Sequence, residues 1–102
     1  MAEVKFQHDG EEPAAFNLFD EDKKIGEMIV EILDGNLKVY HTEVDEDQEG
    51  KGYAKLLLAA MSNYARSNQL KVIPLCTYVA TQFKRHPDEY QDIWNKEVKP
   101  EF

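Results

Sequence analysis

Two glycines separated by one residue, Gly50 and Gly52, stand at the head of an apolar-periodic segment. Glycine reaches left-handed backbone angles and lets the main chain approach a ligand with no Cβ in the way. A helix that begins at such a loop turns its unpaired N–H groups and the positive end of its dipole toward whatever the loop holds. That arrangement suits a phosphate or a pyrophosphate. The helix is expected from about Lys51 to Ser67, because Tyr53, Leu56, Leu57, Ala60, Met61, Tyr64 and Ala65 fall on one stripe at three- and four-residue spacing. A glycine turn that merely starts a helix would read the same in isolation. A strand before it and a helix after it favour the ligand loop.

The residues ahead of the loop read as strands. Val4–His8 alternates apolar with polar, Ala14–Phe19 forms a second run, and Ile25–Leu33 a third. Asp34-Gly35-Asn36 is a hairpin signal, after which Leu37–Val44 returns as a fourth strand. Its alternation places Leu37, Val39, His41 and Glu43 on one face and Lys38, Tyr40, Thr42 and Val44 on the other. Beyond the helix, Leu70–Cys76 is a short apolar strand. Pro74 cannot donate to a ladder, so this strand lies at an edge or splays there. A second helix is expected over Thr77–Arg85, stopping at His86-Pro87, with a last helical segment over Asp88–Trp94. A helix between the fourth and fifth strands favours parallel pairing of those two. The expected fold is α/β (α+β): a four-stranded antiparallel meander, a helix, a fifth strand parallel to the fourth, and C-terminal helices.

With 102 residues, the chain is expected to form a single domain over 1–102. A net charge of −8 argues against nucleic acid and anionic membranes as partners, since both demand clustered Lys and Arg. The one cysteine excludes an internal disulfide and a cysteine-based zinc cage, and the three histidines show no metal-ligand spacing. Asp45, Asp47, Glu49 and Gly50 echo a calcium loop, but its twelfth position is Leu56 where a bidentate Glu is required. No metal is expected. No charged-then-apolar leader and no long apolar run are seen, which reads as cytoplasmic.

Meander, glycine loop, long helix, short strand and helix, in that order, resemble the GNAT (Gcn5-related N-acetyltransferase) fold. Glu49, Gly52 and Ala54 take the first, fourth and sixth places of its acyl-CoA signature, Gln/Arg-x-x-Gly-x-Gly/Ala. Three pieces resemble the small GNAT-like family typified by YidJ: His41-Thr42-Glu43-Val44, Gly50-Lys51-Gly52-Tyr53-Ala54, and Cys76-Thr77-Tyr78-Val79 with His86-Pro87 ahead of Tyr90. The resemblance implies an acetyl-CoA-dependent N-acyltransferase. It implies that acetyl-CoA or coenzyme A is held by Val44, Glu49, Gly50, Lys51, Gly52, Tyr53, Ala54 and Lys55. The acceptor it implies is an amine of unspecified identity, and the acidic chain would steer a cationic one toward itself. Glu49 departs from the superfamily, which usually has Arg or Gln there; with Asp45, Glu46 and Asp47 it sets negative charge beside an anionic cofactor.

Two residues are the catalytic candidates. Cys76 sits at the end of the fifth strand just before a helix, where a thiol pKa is lowered. The family pattern places it near the thioester or as its attacker; an inert buried cysteine is the plain alternative. Histidine as a residue type suits a general base at cellular pH, and direct transfer to an alkylammonium needs one, which makes His41 the candidate. A core histidine on an apolar face is its alternative. Glu43, on the same expected face, is the second candidate base. Tyr78 and Phe83 are read as core packing, with lining of the cofactor channel as the alternative, and Trp94 and Phe102 as core caps or partner contacts. A non-catalytic acyl-CoA-binding or protein-interaction module, motivated by Glu49 and the acidic run, is the competing function. A plain acidic adaptor for a basic protein is the third.

Overall fold

The computed structural model describes residues 2–8, 10, 13–48 and 50–97; Glu49 and Phe102 lie outside them. One sheet carries β1 (Ala2–Gln7), β2 (Ala14–Asp20), β3 (Lys23–Leu33), β4 (Asn36–Val44) and β5 (Lys71–Pro74), in that spatial order. The first four are antiparallel neighbours, and β5 runs parallel to β4. Helix α1 (Tyr53–Ser67) makes the connection from β4 to β5, and α2 (Thr77–Arg85) and the one-turn α3 (Pro87–Tyr90) follow. This is the expected α/β architecture.

Local chemistry sets the joints. Asp34 and Gly35 adopt φ of 53° and 79°, the left-handed pair that closes a two-residue hairpin between Leu33 and Asn36. Gly52 has φ 80° and caps α1, so the helix starts at Tyr53 rather than at Lys51. A right-handed helix cannot pass through a left-handed residue. The fifth strand stops at Pro74, two residues short of Cys76, because its ladder with β4 ends at the Val39–Pro74 pair. The last helical segment also ends early, at Tyr90. The chain then turns so that Trp94 bridges to Val72, with Val72 N–H donating to Ile93 O at 2.6 Å.

The fourth strand departs from simple alternation. Ile29 pairs with His41 but Val30 pairs with Val39, so Tyr40 is an extra residue, a β-bulge. Alternation resets there. Leu37 and Val39 point into the core, and beyond the bulge Thr42 and Val44 continue that side, opposite Met28 and Gly26. His41 and Glu43 are exposed, on the other face, opposite Ile29 and Glu27. The shared face expected for Leu37, Val39, His41 and Glu43 is thereby corrected.

Both long helices cover one face of the sheet. Phe16, Leu18, Met28, Val30, Leu37 and Val39 from the strands form one hydrophobic cluster with Leu57, Met61 and Ala65 of α1 and Val79 and Phe83 of α2. The buried stripe of α1 includes Leu58 and Ser62, while Leu56 is exposed. The stripe is rotated from the expected one toward the α2 flank, where Leu58 and Ser62 line one hollow with Gln82 and Tyr90. Arg66 ties the C-terminal end of that flank, donating to Asp92 at 2.8 Å and to Glu89 O at 2.7 Å. Phe83 is fully buried, stacks on Tyr90 at 4.6 Å and meets Trp94 edge-on. Its reading as core is correct, and Trp94 caps that core.

Truncating the Phe83 ring leaves a cavity beside two aromatics, Tyr90 and Trp94. Phe83→Ala is expected to cost about 3–5 kcal/mol, read as a lower midpoint in urea unfolding with the slope unchanged.

Candidate functional site

The V between β4 and β5 is the starting point. Their ladder closes at Val39–Pro74, and Cys76 N–H makes a last bond back to Val39 O at 2.8 Å. From there β4 runs on through the bulge to Val44 with no β5 residue beside it. The strands therefore part where the side chains of Thr42 and Val44 project to the helix side.

A groove of about 390 Å³ opens at this parting. Val44, Gly50, Gly52, Tyr53, Ala54 and Lys55 all line it, joined by Thr42, Gln48 and Tyr78. Its rim is the N-terminus of α1. No side chain caps that helix, whose first bond is Leu56 N–H to Gly52 O at 3.3 Å. The N–H groups at the start of α1 are left for a ligand. Gly50 and Gly52 both adopt φ near 80°, yet a Cβ on either would meet nothing within 4 Å. The two glycines serve the backbone angle that turns the chain into the helix. Crowding by other atoms is not what requires them.

One residue picked from the sequence, Lys51, stands apart from the groove. Lys51 donates to Gln48 Oε1 at 3.1 Å and is not in the lining. Lys55 is the lysine that lines it. Glu49 lies outside the described residues. Three exposed carboxylates, Asp45, Glu46 and Asp47, precede the loop.

Cys76 is buried at the N-cap of α2, and its Sγ donates to Thr42 Oγ1 at 3.4 Å. It sits behind Thr42, one residue removed from the groove surface. His41 does not share that place. It is on the far face of the sheet with Glu43, Nε2 to Oε2 3.5 Å, both well exposed. The structure brings Cys76 to the loop side and leaves His41 on the open side, with the sheet between them.

Sequence reasoning passed over Thr42 and Gln48 and favoured a core role for Tyr78. Thr42 was hidden by the bulge, which reverses its face; its place in the His41–Val44 piece was the available signal. Tyr78 is half-buried at the groove. Burial pushes its phenol above the ordinary tyrosine range, and the neighbouring Cys76 adds to the shift. Tyr78 therefore stays protonated at neutral pH and offers an O–H donor.

The glycine loop, uncapped helix and parted strands match a known pattern in full order. A family model described as GCN5-related N-acetyl-transferase matches residues 15–93. The chain belongs to the GCN5-related N-acetyltransferases. Three solved structures are similar. The crystal structure of ribosomal-protein-alanine N-acetyltransferase from Brucella melitensis biovar Abortus 2308 has a TM-score of 0.69 at 15% identity, covering 100% of this chain and 97% of that one. The solution structure of a GCN5-like candidate N-acetyltransferase from Staphylococcus aureus has a TM-score of 0.60 at 29% identity, covering 89% and 87%. The tetramutant of the BH1408 protein from Bacillus halodurans has a TM-score of 0.55 at 17% identity, covering 92% and 67%. No curated protein matches the sequence. Among the described residues of this GCN5-related N-acetyltransferase, no helix is long and apolar enough to cross a membrane.

The Tyr78 phenol gives a direct check on this environment. Its titration, followed by NMR of a ring-labelled chain, is expected above the ordinary tyrosine value near 10, and Cys76→Ser should leave most of the elevation because burial is the larger cause. The folded chain keeps a proton that the unfolded chain gives up. Stability due to Tyr78 is thus full below pH 10 and declines as pH rises through the folded pKa. Tyr78→Phe should make that decline shallower in alkaline unfolding curves.

Proposed function

We propose that this chain, over 1–102, is an acetyl-CoA-dependent N-acetyltransferase in which the groove at the α1 N-terminus holds the cofactor. The observation that carries this reading is the convergence of Val44, Gly50, Gly52, Tyr53, Ala54 and Lys55 on one groove beside an uncapped helix end and a parted strand pair. The residues present suit the group. Backbone donors at the start of α1 fit a diphosphate, Lys55 adds a cation, and the gap between β4 and β5 fits an extended arm. The three ordered motifs support a YidJ-type reading within the family.

Acetyl-CoA, when bound, supplies a thioester whose C–S bond breaks as a C–N bond to the acceptor amine forms. The amine must shed a proton. His41, on the open face and held at Glu43, takes it directly or through a water. The released thiolate would need a proton in turn, and the Tyr78 hydroxyl, which lines the groove and is protonated at neutral pH as tyrosines are, would give it and regain one from solvent. Thr42 lines the groove with Cys76 behind it. Direct transfer is favoured over an acyl-cysteine because Cys76 lies behind Thr42 and not on the groove surface.

The acidic run opposes an anionic ligand only through exposed, salt-screened charges. Helix-end contacts are worth about 0.3–1 kcal/mol per charge, so the main-chain hydrogen bonds carry the affinity. A binding module without turnover would share the groove; it would lack a need for His41.

Calorimetric titration with acetyl-CoA tests the groove, and a flat titration contradicts the reading. Lys55→Ala is expected to weaken binding about tenfold, as loss of one charge-assisted contact does. His41→Ala should lower turnover by about 10²–10⁴ with acetyl-CoA affinity unchanged; unchanged turnover sinks its role as base. Cys76→Ala should retain most turnover. An acetylated Cys76 in the intact mass of the parent would instead favour the acyl-cysteine route.

A further inference from the structure

The helices leave one face of the sheet bare among the described residues, and that face carries a second hollow. It has a volume of about 620 Å³ and spans β1 to β3. Gln7, His8, Asn17, Lys24, Glu27 and Ile29 are in its lining. Asn17 is unusual there. It is 9% exposed, its Nδ2 donates to Gln7 Oε1 at 2.7 Å, and its Oδ1 is buried without a hydrogen-bond partner. A buried amide oxygen left unpaired is costly; it is closed off from the hollow as it stands, and a ligand N–H that met it after the Asn17 amide turned outward would remove that cost.

This hollow is continuous in register with the far side of the parted strands. Ile29 lies opposite both Ala15 on β2 and His41 on β4, and Glu27 opposite both Asn17 and Glu43. From His41 to the β2 row is two inter-strand steps, about 10 Å. Three extended residues of a peptide cover that span, at about 3.3–3.6 Å each.

The charge pattern selects the ligand. The chain as a whole is acidic, but three of the carboxylates described on this face already have lysine neighbours: Glu3 with Lys5, Glu27 with Lys24 at 2.6 Å, and Glu31 with Lys38. A linear polyamine would find little unneutralised negative charge. The lining instead offers both acceptors and donors beside apolar Ile29, which matches a peptide main chain.

We propose that the open face holds the acceptor as an extended peptide, its free amine at His41 and its third or fourth residue bonded to Asn17. This rests on the acetyltransferase reading for the fate of the amine, but the binding itself does not.

The test is an NMR titration of the isotope-labelled full chain with three probes: tetra-alanine amide with a free α-amine, alaninamide, and 1,4-diaminobutane. Tetra-alanine amide is expected to shift the Asn17 side-chain amide together with Gln7, Ile29 and His41, and to bind about tenfold tighter than alaninamide, the gain of one or two hydrogen bonds. Asn17→Ala should remove that advantage. Gln7→Ala, at an exposed position of an edge strand, should weaken it as well, with an unchanged backbone spectrum showing that the fold is kept although the Asn17 amide loses its partner. Both variants should titrate with acetyl-CoA as the parent does. Equal binding of alaninamide, equal or tighter binding of the diamine, or shifts confined to the helix side would overturn the proposal. Peptide binding with a flat acetyl-CoA titration would sink the acetyltransferase reading while this site stood; the reverse result would sink the site alone.

Discussion

One extra residue in β4 organises this molecule. Without the bulge at Tyr40, strict alternation would keep His41 on the side of Leu37 and Val39, and Thr42 would face away from the helices. With it, the strand presents different residues on its two faces. Thr42 and Val44 join the groove at the α1 N-terminus, while His41 and Glu43 reach the open side. The parting of β5 at Pro74 completes the device, because a proline ends the ladder where the bulge has already changed the direction of β4. The sheet becomes a partition with a gap in it, the proposed diphosphate site on one side and the proposed proton acceptor on the other.

The remaining elements hold that gap in place. The α1 helix is anchored by Leu57, Met61 and Ala65 under the sheet, which fixes its N-terminus at the groove. The α2 helix is anchored by Val79 and Phe83, which fixes Cys76 at its N-cap behind Thr42. The ring of Phe83, Tyr90 and Trp94 and the Arg66 bridge bind the C-terminal turns to both helices. A small chain can thus build a groove beside a helix end because each helix spends one end on the core and offers the other.

Much of this was legible in residue pattern. Asp34-Gly35 announced a hairpin because only a few residue types accept two successive left-handed angles. The α2 helix followed from the His86-Pro87 stop, since proline pushes its predecessor out of the helical region. The order of motifs placed the loop before a helix and the cysteine after a strand. What was not legible had more than one origin. A bulge carries no fixed residue signature when its extra residue is a tyrosine, so every β4 side chain beyond Tyr40 was assigned to the wrong face, and Thr42 was passed over. The buried stripe of α1 was also rotated, because the hollow it shares with α2 depends on where the two helices lie and not on the spacing within either. Lys51 looked like a phosphate ligand by proximity in sequence; its side chain turns to Gln48, and Lys55, one turn into the helix, takes the groove.

The partition is the claim on which the account stands. NMR of a chain carrying labelled Thr and Val methyls and labelled His rings, titrated with coenzyme A alone, measures both faces at once. The account predicts shifts at Thr42 and Val44 with the His41 ring unmoved. A shift of His41 comparable to theirs, or a response at His41 with none at Thr42 and Val44, would contradict it.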